Sequence, residues 1–346
     1  MEFLVRLSKK TTNMNRTYII AEAGVNHNGD INLAYKLCDA AKNAGADAVK
    51  FQTWKTDKVI TRSAELAKYQ KDNIINKGET QFDMLKKLEI SYEEFIKIKR
   101  YCDSIGIQFL STADEEESLK FLSSLSLPYL KIGSGDITNI NYLRLVGSMH
   151  LDVLLSTGMA YISDVDIARR TLLESGAKSV ILLHCTTNYP CPLDEVNLKA
   201  MVTLKDAFKC SVGYSDHTSG IDVPIAAVAL GAEFIEKHFT LDKSMDGPDH
   251  KASLDPAELK MMIKSIRGIE QALGSGLKCP NESEKIMSRV VLKKIVACKK
   301  IKKGDFFTED NITVKRSSGG LDASLWDMIE GQVSHYDFDI DQPINI

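Results

Sequence analysis

The stretch GYSDHTSGIDVPIAAVALGAEFIEKHFT, residues 213–240, decides the fold. A β-like run closes on His217, a small-residue helical segment follows, and a second β-like run closes on His238. This is a strand–helix–strand unit, the connection that joins parallel strands.

Working outward, the same alternation recurs along the chain. Apolar runs ending in small or polar residues occur at TYIIAEAG (17–24), DAVKFQT (47–53), IQFLSTA (107–113), PYLKIGSGD (128–136), DVLLSTGM (152–159), SVILLHCT (179–186), CSVGYSD (210–216) and EFIEKHFT (233–240). Between them lie stretches such as INLAYKLCDAAKNAG and DEEESLKFLSSL, whose apolar residues recur at helical spacing. Near-continuous apolar strands separated by helices predict a parallel sheet covered by helices. Eight such units over about 270 residues predict an α/β fold of the (β/α)8 barrel type. The polar segment 54–90 predicts a loop with helical pieces on the barrel's catalytic face.

Composition breaks after PAELKMMIKSIRGIEQALG (256–274). The expected organisation is an N-terminal extension over 1–16, the barrel over 17–276, a linker over 277–288 and a small mostly-β domain over 289–346. The extension is suggested by Met14, which directly precedes the first strand pattern and would serve as a start. The small domain is suggested by short β-like runs and the turn signals KKGD and SSGG.

Charge excludes two partner classes. Lys and Arg total 44 against 47 Asp and Glu, so there is no electrostatic footprint for nucleic acid or an anionic membrane. No run approaches the length of a membrane span, and the apolar run at the N-terminus is too short for a signal peptide. The seven cysteines are odd in number, scattered and without a CxxC pair, which suits reduced thiols and a cytoplasmic location.

A barrel of this type builds its site at the C-terminal ends of its strands. Those ends carry Glu22, Lys50, Gln52, Ser111, Thr112, Lys131, Ser134, Asp136, Ser156, Thr157, His184, Thr186, Ser215, His217 and His238. His217 and His238 end adjacent strands, an arrangement suited to a borderline divalent metal such as Mn2+ or Zn2+; otherwise they are histidines hydrogen-bonded in the loop layer. Lys50 and Lys131 interrupt apolar strands, and a buried ammonium must meet an anion. Either they pair with Glu22 and Asp136, or they join hydroxyl and backbone donors from STAD, GSGD and LSTGM in a cage for a phosphate and a carboxylate. In the polar loop 240–256, Asp249 and His250 are candidates for binding sugar hydroxyls.

The motifs IIAEAGVNHNG, AVKFQT, KIGSGD, LSTGM, LLHCTTNYP, GYSDHTSG, EKHFTLDKSMDGPDHKASL and KKIKKGDFFTEDNITVKR, in this order from about residue 18 to 332, resemble the sialic acid synthase family. Those enzymes condense phosphoenolpyruvate with an N-acetylated amino sugar and end in an antifreeze-like (SAF) domain, which the tail resembles. The resemblance implies that His217 and His238 bind a catalytic divalent metal, Mn2+ with Mg2+ or Co2+ as alternatives. It implies that Lys50, Thr112, Lys131, Ser134, Ser156 and Ser215 hold phosphoenolpyruvate and that Glu22 is the acid/base. It places Gln52, Asp136, Tyr189 and Asp249 on the amino sugar, with Arg316 reaching the partner's site in a domain-swapped homodimer. Two departures stand out: STADEE where many relatives read STPFD, and KRSSGG where many read KRPGNG. The first adds acid to the rim, and the second removes a rigid proline beside Arg316.

Rival readings are a pyruvate aldolase with Lys50 or Lys131 as Schiff-base nucleophile, a barrel metallohydrolase, which the absence of an HxH pair after the first strand opposes, and a carbohydrate-binding protein on a degenerate barrel. A degenerate barrel is not expected to keep Glu22, Lys50, Lys131, His217 and His238 together.

Overall fold

The structure, a computed structural model, describes residues 16–66 and 80–345. The N-terminal extension up to residue 15 and the middle of the long polar segment, 67–79, lie outside the described residues.

Eight strands close into a parallel barrel: β1 Tyr18–Gly24, β2 Ala48–Thr53, β3 Gln108–Ala113, β4 Leu130–Ile132, β5 Asp152–Ser156, β6 Ser179–His184, β7 Val212–Asp216 and β8 Phe234–His238. β8 pairs with both β7 and β1, so the strand–helix–strand unit of residues 213–240 closes the barrel. Helices cover the outside, among them Ile31–Ala44, Tyr92–Ile105, Ile162–Glu174 and Pro256–Leu273. Their ends are built by local chemistry. Ser91 and Asp255 form capping boxes with Glu94 and Glu258, and Gly45 and Gly106 close helices in the left-handed region.

β4 is shorter than its sequence pattern. The chain leaves the sheet after Ile132, and Ser134–Asp136 forms a 3-10 turn with Asp136 N–H donating to Gly133 O (3.2 Å). Among its described residues, the polar segment after β2 carries the helical pieces Thr56–Val59 and Gln81–Leu88.

Side chains alternate across the barrel wall. Facing outward, Ile19, Ala21, Val49, Phe51, Leu155 and Leu182 pack against the helices in the main core. Facing inward at the N-terminal end, Ile20, Ala48, Leu110, Leu154, Ile181, Leu183 and Phe234 form an apolar plug edged by Tyr18 and Tyr129. One step further along the same inward rows stand Glu22, Lys50, Thr112, Lys131, Ser156, Ser215 and Glu236, all buried. The site therefore rests on a packed floor.

The chain divides into two compact units, residues 1–275 and 276–346. In the second, β9 (Lys293–Ala297) pairs antiparallel with β10 (Ile312–Arg316) around a core of Ile295, Ala297, Ile301, Phe307, Ile312, Ile329, Phe338 and Ile344. The stretch expected to be a linker carries a helix, Glu282–Val291. Asn281 caps its start in a capping box with Glu284, a polar pattern that composition alone does not separate from a loop.

Candidate active site

Eleven of the residues singled out by sequence line one chamber of about 180 Å³: Glu22, Lys50, Gln52, Thr112, Lys131, Ser134, Ser156, Tyr189, Ser215, His217 and His238. The register explains the convergence. Glu22 faces Lys50 on one side and His238 on the other, Thr112 faces both Gln52 and Lys131, and Ser215 faces Glu236.

The two lysines form the cationic floor. Lys50 Nζ lies 2.9 Å from Glu22 Oε2 and donates to Thr112 Oγ1 at 2.9 Å. Lys131 Nζ donates to Ser156 Oγ at 2.7 Å and to Ile132 O at 3.1 Å. Between them stands Glu236, 3.7 Å from Lys131 and 3.8 Å from Lys50, with Ser215 Oγ donating to it at 3.0 Å. The environments differ in effect. Burial works against both ammonium groups, but the flanking carboxylates Glu22 and Glu236 raise Lys50 above its ordinary value, whereas Lys131 is lowered.

Lys131 thus corrects the expected pairing with Asp136: its carboxylate neighbour is Glu236. Asp136 sits in the 3-10 turn beyond β4, accepts from Asn139 Nδ2 (2.9 Å), and lines a neighbouring cleft rather than the chamber. Glu236 was missed because only strand ends were surveyed. The signal was present, since residues 236 and 238 share a face on any strand.

Glu22 accepts from Gln52 Nε2 at 3.1 Å, and burial raises its pKa to about 7. Gly24 follows it at φ +52°, where a Cβ would stand 3.3 Å from Glu22 Oε1 and 3.6 Å from His238 Cε1. Glycine leaves that corner open.

His217 and His238 have ring centroids 5.5 Å apart, and the Tyr189 ring lies beside them, tilted against His217 at 4.1 Å and edge-on to His238 at 5.7 Å. His217 Nδ1 lies 2.7 Å from Thr186 O. A carbonyl only accepts, so Nδ1 carries the proton and Nε2 keeps its lone pair for a ligand. His238 Nδ1 is buried without a hydrogen bond, and Asp249 Oδ2 is 3.8 Å away. Burial holds both rings toward the neutral form that metals bind. Among the described residues no group of three or more His, Cys, Asp or Glu side chains is placed to hold a metal. The histidine pair with its unbonded nitrogen fits a divalent ion whose remaining positions are filled by water or substrate.

Other surveyed residues face elsewhere. Ser111 bonds Thr53 (2.7 Å), Thr157 donates to Leu183 O, and His184 Nε2 meets Val196 O, all on the outward register. His250 is buried between Thr240 and Asn28 and does not reach the chamber. Asp249 stands behind His238 rather than on the chamber wall, and Arg316 ends β10 in the second unit.

Residues 37–278 match the model of a family described as the NeuB family. The chain is 48% identical over 333 residues to the N,N'-diacetyllegionaminic acid synthase of Campylobacter jejuni, covering 96% of this chain and 99% of that protein. It is 47% identical over 308 residues to the N,N'-diacetyllegionaminic acid synthase of Legionella pneumophila, covering 88% and 86%. Among solved structures it resembles the N-acetylneuraminic acid (sialic acid) synthetase of Leptospira borgpetersenii, with a TM-score of 0.70 and 35% identity over 79% of this chain and 90% of that one.

Proposed function

From the premise that the chain belongs to the NeuB family, we propose that it is a nonulosonate synthase condensing phosphoenolpyruvate with an N-acetylated amino sugar and water. The acceptor best supported is 2,4-diacetamido-2,4,6-trideoxymannose, giving N,N'-diacetyllegionaminate and phosphate, because two relatives near half identity carry that product in their names. The observation that carries the reading is the convergence of Lys50, Lys131, Glu22 and the His217–His238 pair on one buried chamber.

Lys50 and Lys131, with the hydroxyls of Thr112, Ser134, Ser156 and Ser215, hold the phosphate and carboxylate of phosphoenolpyruvate in register. His217 and His238 would hold a divalent metal, Mn2+ in the first instance, which would supply Lewis acidity toward the acceptor's aldehyde. Carbon 3 of phosphoenolpyruvate attacks the aldehyde carbon, forming the new C–C bond. Water adds at carbon 2, and the tetrahedral product loses phosphate by C–O cleavage to leave a 2-keto acid. Glu22, with a pKa near neutrality, takes the proton released by the water and returns one to the alkoxide left by the attacked aldehyde. Gln52, Tyr189, Asp136 and Asp249 are assigned to the sugar side. Glu22 and Glu236 keep Lys50 as an ammonium, which suits anion binding and opposes a Schiff-base role.

The second unit is assigned to an SAF-type domain in a cytoplasmic, domain-swapped homodimer, with Arg316 serving the partner's site. Among the described residues no helix is long and apolar enough to cross a membrane.

The test is phosphate release from phosphoenolpyruvate with Mn2+, comparing the diacetamido sugar with N-acetylmannosamine, with and without EDTA. Metal-dependent release with the diacetamido sugar supports the assignment. Release with N-acetylmannosamine alone reassigns the acceptor, and release with neither overturns the condensation.

A further inference from the structure

Two cavities meet at one residue. Beside the chamber lies a cleft of about 640 Å³ whose lining includes Lys58, Glu115, Asp136, Asn139 and Tyr142. Asp114 belongs to both linings, and among the described residues no other does.

Its placement follows from the strand. Asp114 N–H donates to Thr53 O (3.2 Å), which carries the β2–β3 ladder one residue past Ala113. Two residues beyond Thr112, Asp114 continues the inward row of Leu110 and Thr112.

What surrounds the carboxyl group leaves it unanswered. Lys50 is engaged by Glu22 and Thr112, and Lys131 by Ser156 and Ile132 O. Asp136 has Asn139 as donor, while the Asp114 carboxyl group has no hydrogen bond or ion pair among the described residues. Burial, then the nearby Asp136, pushes Asp114 up to about 7. Asp114 is half-buried on the lining of both cavities, and a carboxyl group drawn partly out of water without a partner is costly unless a ligand supplies one. Beyond it the cleft is acidic: Glu115, Glu116, Glu117 and Asp136 stand against Lys58 and Lys120, and Lys120 is tied to Glu116.

The geometry points to Asp114 as a specificity-determining residue for the acceptor sugar. Its carboxyl group binds a neutral donor, an amide N–H or a hydroxyl on the far half of the sugar, and the acidic cleft behind it turns away an acceptor that carries a phosphate. This rests on the condensation reading above.

The experiment is steady-state kinetics of the full chain with Mn2+, on wild type, Asp114→Ala and Asp114→Asn. The acceptors are the neutral amino sugar that wild type uses and N-acetylmannosamine 6-phosphate. Asp114→Ala is expected to raise the KM of the neutral acceptor about ten-fold, the worth of one lost hydrogen bond, while the KM of phosphoenolpyruvate stays put. Asp114→Asn keeps a carbonyl acceptor and retains most of that affinity, and both variants gain turnover with the phosphorylated sugar. An unchanged acceptor KM in both variants overturns the proposal, as does an equal rise for both substrates. Should Asp114→Ala melt too low to assay, the near-isosteric Asp114→Asn and its phosphorylated-acceptor turnover decide. A wild type that releases no phosphate with any amino sugar overturns the condensation reading instead, and does so before any substitution is made.

Discussion

Glu22 and Lys50 face one another across the β1–β2 ladder with Oε2 and Nζ 2.9 Å apart, both side chains at most 2% exposed. The same carboxyl group is bonded by Gln52 and sits beside His238. Glu22 thus links the lysine floor to the histidine wall, the proposed anion and metal sites. Glu22→Gln keeps the shape and removes proton transfer, so turnover should fall by roughly 100-fold or more. Binding of Mn2+ and phosphoenolpyruvate, followed by calorimetry, should persist; full retained activity would remove Glu22 from the mechanism.

Glu236 shares two buried ammonium groups. Glu236→Gln leaves Lys50 with Glu22 alone and Lys131 with no carboxylate close by. Stability should drop by about 3 kcal/mol. Inorganic phosphate should restore more melting temperature to this variant than to wild type, because an anion between the lysines replaces the lost charge. Equal shifts in both proteins would show that Glu236 does not neutralise the lysines.

On the proposed assignment, His217→Ala or His238→Ala removes a direct metal ligand. Mn2+ affinity should fall by more than the roughly 10- to 100-fold that outer-shell changes cost. Thr186 contributes a backbone carbonyl to His217, so Thr186→Ala should leave affinity nearly intact. Titration of the metal-free protein with Mn2+ reads both.

Glu22 and Asp114 are carboxyls whose pKa values are both raised to about 7 by burial, from 4.5 and 3.8. A raised folded pKa means that the native state binds protons more tightly than the unfolded chain. Their contribution is present at pH 4 and below and is lost as pH rises through about 7. The ligand-free protein should therefore lose melting temperature between about pH 4 and 7 through these two groups. Asp114→Asn should flatten that decline, and an unchanged slope would mean that Asp114 titrates like a solvent-exposed acid.

The Asp216–Lys237 pair lies in the wall between barrel and helices, 2.6 Å apart and essentially sealed from water, with Lys237 also donating to Thr218 O. Lys237→Met alone should cost 3 to 5 kcal/mol, roughly, by stranding Asp216, and Asp216→Leu in the same chain should recover much of it. Denaturant titration of the two single variants and the double variant measures the coupling.

Much of the barrel was legible because each strand changes character along its length, apolar where it meets the plug and polar where it meets the chamber. Glu22, Lys50 and His238 announced themselves as polar residues at the ends of apolar runs. Glu236 and Asp114 did not: one lies inside a run ended by a more conspicuous histidine, the other just past a run, in what reads as a helix-capping loop. Which carboxylate serves Lys131 depends on register between strands distant in sequence, and single-strand patterns carry no register. The outward direction of Ser111 and His184 follows from alternation, but only once the first inward residue of each strand is fixed.

Since β8 both closes the ring and carries Glu236 and His238, the chamber does not exist in any piece of this chain that stops short of β8. A nascent polypeptide that has not yet released residue 240 from the ribosome holds Lys50 and Lys131 without their shared counter-charge and has only one of the two imidazoles. Reactivity and topological completion arrive together, so an unfinished barrel has no means of capturing metal and substrate early and settling around them in a wrong arrangement.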